Sequence, residues 1–178
     1  PFEGDRFTHL VLGDENKRSL KVLFAIAYGA TIVKEDWWKK FVSHLEEHKE
    51  DKKVEFLDTL SYEIERWQKS SDQCRKLNES VISLSPQDAK CEEKFKFLWG
   101  RCISFHDCGE DTATFEKLIE VLGGRTTRAH RRANICIVNT KGSPNDTCLK
   151  AENVVSMKWL SDSIEQFKVR RVCHPSGA

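Results

Sequence analysis

One pattern occurs twice in this chain and does most to limit its fold. The stretches IVKEDWWKKFV (32–42) and VVSMKWLSDSI (154–164) each open on two β-branched apolar residues. After three intervening residues come a Trp, a large apolar residue, and a further apolar residue four positions on. Paired β-branched residues suit a strand, and the later spacing suits a helix. Trp37 and Trp159 occupy matching places. A strand-like run precedes each copy, THLVLG (8–13) and NICIVN (134–139). Between run and Trp motif lies a candidate helix, 17–28 in the first copy and about 146–152 in the second. An internal repeat of this kind fixes the architecture before any single residue does.

The second copy carries an earlier half. RCISF (101–105) follows the turn-like Trp99-Gly100 and suits a buried strand. Residues 112–124 place Phe115, Leu118, Ile119 and Leu122 at helical spacing, and Gly123-Gly124 end that helix. RTT (125–127) is then a short strand. Strands alternating with helices predict an α/β fold, a mostly parallel sheet covered by helices on both faces. The first copy shows no such earlier half, because residues 1–7 are too few for it. The sequence is therefore expected to open inside the first repeat or to lack a segment, and to fold poorly alone. The expected divisions are 1–50, a connector at 51–94, and 95–178. In the connector, Phe56, Leu57, Leu60, Ile64 and Trp67 share one helical face over 56–67. From Lys69 to Lys94 the chain is polar, with Ser70-Ser71, Asn78, Ser80 and Ser85-Pro86, and predicts a loop. EEHKEDKK (46–53) suits the solvated end of the helix that starts near Trp37.

Composition narrows the function. With 29 basic and 28 acidic residues the net charge is +1, so any recognition of anions has to be local. No apolar run reaches membrane-spanning length. Seven cysteines, an odd number at irregular spacing, suit a reducing compartment. Cys102, Cys136 and Cys148 are expected to pack as small hydrophobes. His106 with Cys102 and Cys108 lacks any Cys-x-x-Cys pairing, so no metal is expected. Ser19, Ser104, His9, His106 and Asp107 carry no nucleophile elbow or Gly-rich phosphate loop, and no enzyme is expected. His9 suits packing or capping at a strand start, while His106 and Asp107 suit a turn. Trp37, Trp38 and Trp159 suit core or repeat-junction positions. RTTRAHRR (125–132) gathers Arg125, Arg128, Arg131, Arg132 and His130. It is either a nucleic-acid contact or a solvated loop, and no aromatic residue interleaves it for base stacking.

These residues resemble a family. Thr8 to Val11, a helix ending at Gly29, Ile32-Val33 and Trp37 resemble the second half of a BRCT repeat. Gly100, Gly123-Gly124, Ile135 to Val138, Val154-Val155 and Trp159 resemble a complete one. The layout is that of tandem BRCT modules in DNA-damage-response adaptors such as the breast-cancer susceptibility protein, nibrin and fungal checkpoint adaptors. The resemblance implies two repeats, each a small parallel four-stranded sheet flanked by helices, the first lacking its N-terminal part, in a nuclear adaptor for DNA-damage or replication-stress signalling. Such a module takes a phosphoserine or phosphothreonine partner, a phosphorylated protein or histone tail. It implies no cofactor, membrane or small-molecule substrate.

In that family a Lys early in the second helix of the first repeat holds phosphate, beside a Ser or Thr and a backbone amide after the first strand. Lys21 matches the lysine, with Ser19 at the same helix start. Arg18 matches a position that contacts the peptide backbone. Leu23 and Met157 fall on positions lining the peptide groove. The physical reading converges: a helix N-terminus attracts anions, and Lys17, Arg18 and Lys21 crowd the first turn of 17–28 although cations are disfavoured there. The alternatives are a solvated stripe of cations, a phosphate-independent scaffold that docks its partner on the connector helix, or DNA contact through 125–132.

Overall fold

The computed structural model describes residues 7–13, 17–49, 57–82, 97–109, 112–139 and 153–169. The chain divides into two compact units, Pro1–Arg75 and Lys76–Ala178.

In the first unit, strand β1 (His9–Leu12) pairs in parallel with β2 (Thr31–Lys34), His9 opposite Thr31. Helix α1 (Leu20–Tyr28) makes the crossover, and α2 (Glu35–Glu47) follows β2 directly. Residues Val22 through Ala27 of α1 are all buried, as its continuous apolar run demands. The helix closes in a Schellman arrangement. Gly29 lies at φ +69, its N–H reaches Ile26 O at 3.0 Å, and the Ala30 N–H reaches Ala25 O at 2.8 Å. Acidic Glu35 and Asp36 stand in the first turn of α2, where the helix dipole favours them. Trp37 is buried, stacked between His9 and Phe41 with each ring centroid 5.2 Å away.

The connector departs from its sequence expectation. Phe56 lies outside the described residues; among 57–64 only Leu60–Tyr62 are helical, as a single 3₁₀ turn, and Leu60 is 71% exposed. Glu63 is extended and bridges Val33, while the Ile64 N–H donates to Ile32 O at 2.9 Å. Residues 63–64 thus satisfy backbone groups of β2, which interrupts the helix expected over 56–67. The helix begins later, as α3 (Glu65–Ile82), and covers much of the stretch expected to be a loop. Ile64, Trp67, Ser71 and Cys74 are buried at helical spacing. The Cys74 thiol donates to Ala27 O at 3.1 Å. Arg75 clamps the turn beyond α1, its Nε on Gly29 O at 3.0 Å and an Nη on the Thr31 hydroxyl at 3.1 Å. Ser71 Oγ is buried and has no hydrogen-bond partner among the described residues. Ser71→Ala should therefore be neutral or stabilise by up to ~1 kcal/mol in urea unfolding, since it removes an unsatisfied polar atom.

His9 makes the first unit sensitive to acid. Burial, reinforced by the nearby Arg75 charge and partly opposed by Glu63, holds its imidazole below the ordinary value of 6.5. The unfolded chain then binds a proton that the folded one resists. The stability tied to this group is complete above 6.5 and is lost as pH falls through the lowered folded value. The melting temperature should drop across that window. His9→Phe, which keeps an aromatic ring against Trp37, should flatten the drop.

The second unit holds a four-stranded parallel sheet in the order β4-β3-β5-β6. Its strands are β3 (Cys102–His106), β4 (Arg125–Thr126), β5 (Ile135–Val138) and β6 (Asn153–Ser156). Helix α4 (Thr112–Val121) joins β3 to β4, and α5 (Met157–Glu165) follows β6. Ile103, Leu118, Ile119, Ile135, Ile137, Leu160 and Ile164 are fully buried. Ser156 caps α5, accepting the Trp159 N–H at 3.3 Å. Trp159 is half-buried, unlike its counterpart Trp37. The helix expected near 146–152, Cys148, and the charged run beyond Lys49 lie outside the described residues.

Candidate functional site

The first turn of α1 is the candidate anion site. Ser19 is extended at φ −123 and ψ 168, as an N-cap residue is, and the Leu23 N–H donates to Ser19 O at 3.2 Å. The Ser19 side chain makes no capping bond, and no acidic residue stands in the first turn. Among the described residues, the backbone donors at this end therefore meet neither a cap from Ser19 nor a neutralising carboxylate from the first turn. Lys21 is exposed on the first turn.

Two sequence expectations change here. Helix α1 begins at Leu20 rather than at residue 17, so Lys17 and Arg18 precede the N-cap in irregular chain. Only Lys21 carries a cation on the helix itself. Exposed Lys17 and half-buried Arg18 stand ahead of the N-terminus instead of crowding the first turn. Leu23, expected on a peptide groove, is only 3% exposed, its side chain sealed in the core of the first unit. Met157 opens α5 in the second unit and is half-buried.

Arg125, Arg128, Arg131 and Arg132 are all exposed. Arg125 opens β4, and residues His130–Arg132 form a 3₁₀ turn. His130 belongs to the fold rather than to that exposed set: its Nδ1 shares a hydrogen bond with buried Ser104 Oγ at 2.9 Å. The same nitrogen lies 3.7 Å from the buried Cys136 sulfur. Asp107 takes φ +57 just after β3, whereas His106, expected in the same turn, is the last residue of β3, paired with Val138. One donor set went unnoticed in the sequence. His44, Glu47 and His48 on α2 bring ligand atoms within 4.8 Å of one another, and their i, i+3, i+4 spacing is the signal that reveals them. Among the described residues no helix is long and apolar enough to cross a membrane.

With β–α–β–α in the first unit and a complete four-stranded parallel sheet with its helices in the second, the fold is that of tandem BRCT domains. Among solved structures the chain is similar to the BRCT5–BRCT6 domains of S. pombe Brc1, at TM-score 0.54 and 16% identity. That match covers 93% of this chain and 82% of the other. It is also similar to the FHA/BRCT-repeat domain of S. pombe Nbs1, at TM-score 0.44 and 15% identity. There the match covers 95% of this chain and 50% of the Nbs1 chain. No protein-family model matches the sequence, and no curated protein does.

Proposed function

We propose that this chain is a non-enzymatic adaptor that binds phosphoserine or phosphothreonine peptides at the N-terminus of α1. One observation carries the proposal: on a BRCT-like fold, Ser19 makes no capping bond to α1, and the first turn of that helix holds Lys21 and no acidic residue. A dianionic phosphate would take the N–H groups of that turn together with the Lys21 ammonium. Ser19 Oγ, unused as a cap, supplies a further donor at the same helix start. Arg18, just ahead of the cap, suits carbonyl oxygens of the peptide through its planar fork. The proposed organisation remains a first repeat at 1–50, a connector at 51–94 and a second repeat at 95–178. The proposed setting is nuclear DNA-damage signalling, by the same resemblance.

Fluorescence anisotropy with a phosphoserine peptide library and its unphosphorylated twin tests this directly. Phosphorylated members should bind at least about tenfold tighter, the contribution of one charge-assisted contact set. Equal affinity for both would overturn phosphate recognition and favour a phosphate-independent scaffold.

A further inference from the structure

The basic stretch 125–132 contains no aromatic residue, yet the fold supplies one. Leu98 is fully buried, and its N–H donates to Leu122 O at 2.8 Å. The Arg101 N–H returns to Leu98 O at 3.0 Å, closing a four-residue turn over Leu98-Trp99-Gly100-Arg101. Gly100, third in that turn, lies at φ +73, where a type II turn needs glycine. Trp99 holds the second position and is 47% exposed, on a turn anchored to the core at its first residue and to β3 at its last.

Strand pairing brings the arginines alongside. Cys102 stands opposite Arg125 in the β3–β4 register, and the Arg125 N–H donates to Arg101 O at 2.9 Å. Both side chains are exposed. Trp99, Gly100, Arg101, Cys102 and Arg125 line an open cleft of about 280 Å³. That is near the lower bound of small-ligand sites, the size of one flat ring system with its attached charge rather than a folded partner. Exposed Arg128, Arg131 and Arg132 extend the positive charge along the chain from Arg125.

We propose that this cleft binds single-stranded nucleic acid, one base stacking on Trp99 while the neighbouring phosphates sit on Arg101 and Arg125. A single strand repeats a π-face and a phosphate at every nucleotide, which is the pairing that an exposed indole beside guanidinium groups accepts. A duplex keeps its bases stacked internally and offers Trp99 no face. A phosphopeptide offers the charge without the flat ring. This site lies in the second unit and does not depend on α1.

Anisotropy of fluorescein-labelled oligothymidylate, about 15 nucleotides long to fill a typical single-strand site, measures the binding at low salt. The same length of duplex and an unlabelled phosphoserine peptide competitor run beside it. The single strand should bind better than duplex and resist the peptide. Trp99→Ala should weaken the oligonucleotide about tenfold, the loss expected for one stacked base. Arg101→Glu with Arg125→Glu should reduce the slope of log affinity against log salt by about 1.4, two phosphate contacts at ~0.7 each. If Trp99→Ala disturbs the fold by circular dichroism, the arginine pair carries the test alone. Wild-type affinity in Trp99→Ala, duplex bound as well as single strand, or displacement by the phosphopeptide would each overturn the proposal.

Discussion

Gly29→Ala should destabilise the first unit by about 2–5 kcal/mol, a large share of what a small domain has. Two separate costs contribute. Gly29 sits at φ +69, in the left-handed region, where an L-residue is strained by about 1–2 kcal/mol. Its added Cβ would also stand 2.8 Å from both the Cα and N of Arg75, backbone atoms that no rotamer change can move. Relieving that overlap has to push α3 away from α1, at the ~1–3 kcal/mol typical of overpacking. The shift would strain the Arg75 bonds to Gly29 O and Thr31 as well. Gly100→Ala is the matched comparison, since Gly100 shares the positive φ but has nothing within 4 Å of its added Cβ. Urea unfolding should show a clearly smaller loss there, about 1–2 kcal/mol from strain alone. Equal losses at the two glycines would refute close approach of α3 as the cause.

The same contact explains what the sequence hid. Ser70, Ser71 and Cys74 suggest a polar loop when hydropathy is the guide. In the fold they are buried on α3, at 5%, 2% and 3% exposure. Small side chains let that helix approach the Gly29 backbone, so the interface is built from size rather than from apolar bulk. Leu57 and Leu60, apolar and helically spaced with Trp67, misled in the opposite direction. Pairing of Glu63 with Val33 is a tertiary event, and no window of local sequence contains it. Where local spacing was sufficient, the sequence sufficed. The two Trp motifs, the strands at 9–12 and 135–138, and the helix closed by Gly123-Gly124 all follow from period and glycine placement. The candidate site was half legible for a related reason. The buried run of the helix was legible and Lys21 was placed near its start, but the boundary at Leu20, which moves Lys17 and Arg18 off the helix, depends on backbone geometry. The juxtaposition of Trp99 with Arg125 was out of reach, because it arises from parallel pairing of β3 with a strand more than twenty residues later.

Charge reversal at Lys21 should separate the two roles that its position implies. In the empty protein the lysine opposes the dipole of α1 at its N-terminus. Lys21→Glu replaces that with a favourable interaction, worth about 0.3–1 kcal/mol at an exposed first turn. The melting temperature of the variant should therefore rise by a few degrees. Its affinity for a phosphorylated peptide should move the other way, falling about thirty- to a hundred-and-fortyfold as a charge-assisted contact of ~2–3 kcal/mol is lost. Binding of unphosphorylated peptide should be unchanged. Lys21→Gln should lie between, with weaker binding and little change in melting. A cation that belongs only to a solvated stripe predicts the rise in stability without the loss of binding. A cation needed for folding predicts a loss of both. Stability gained together with affinity lost is the outcome expected of an anion-binding lysine on the first turn of α1.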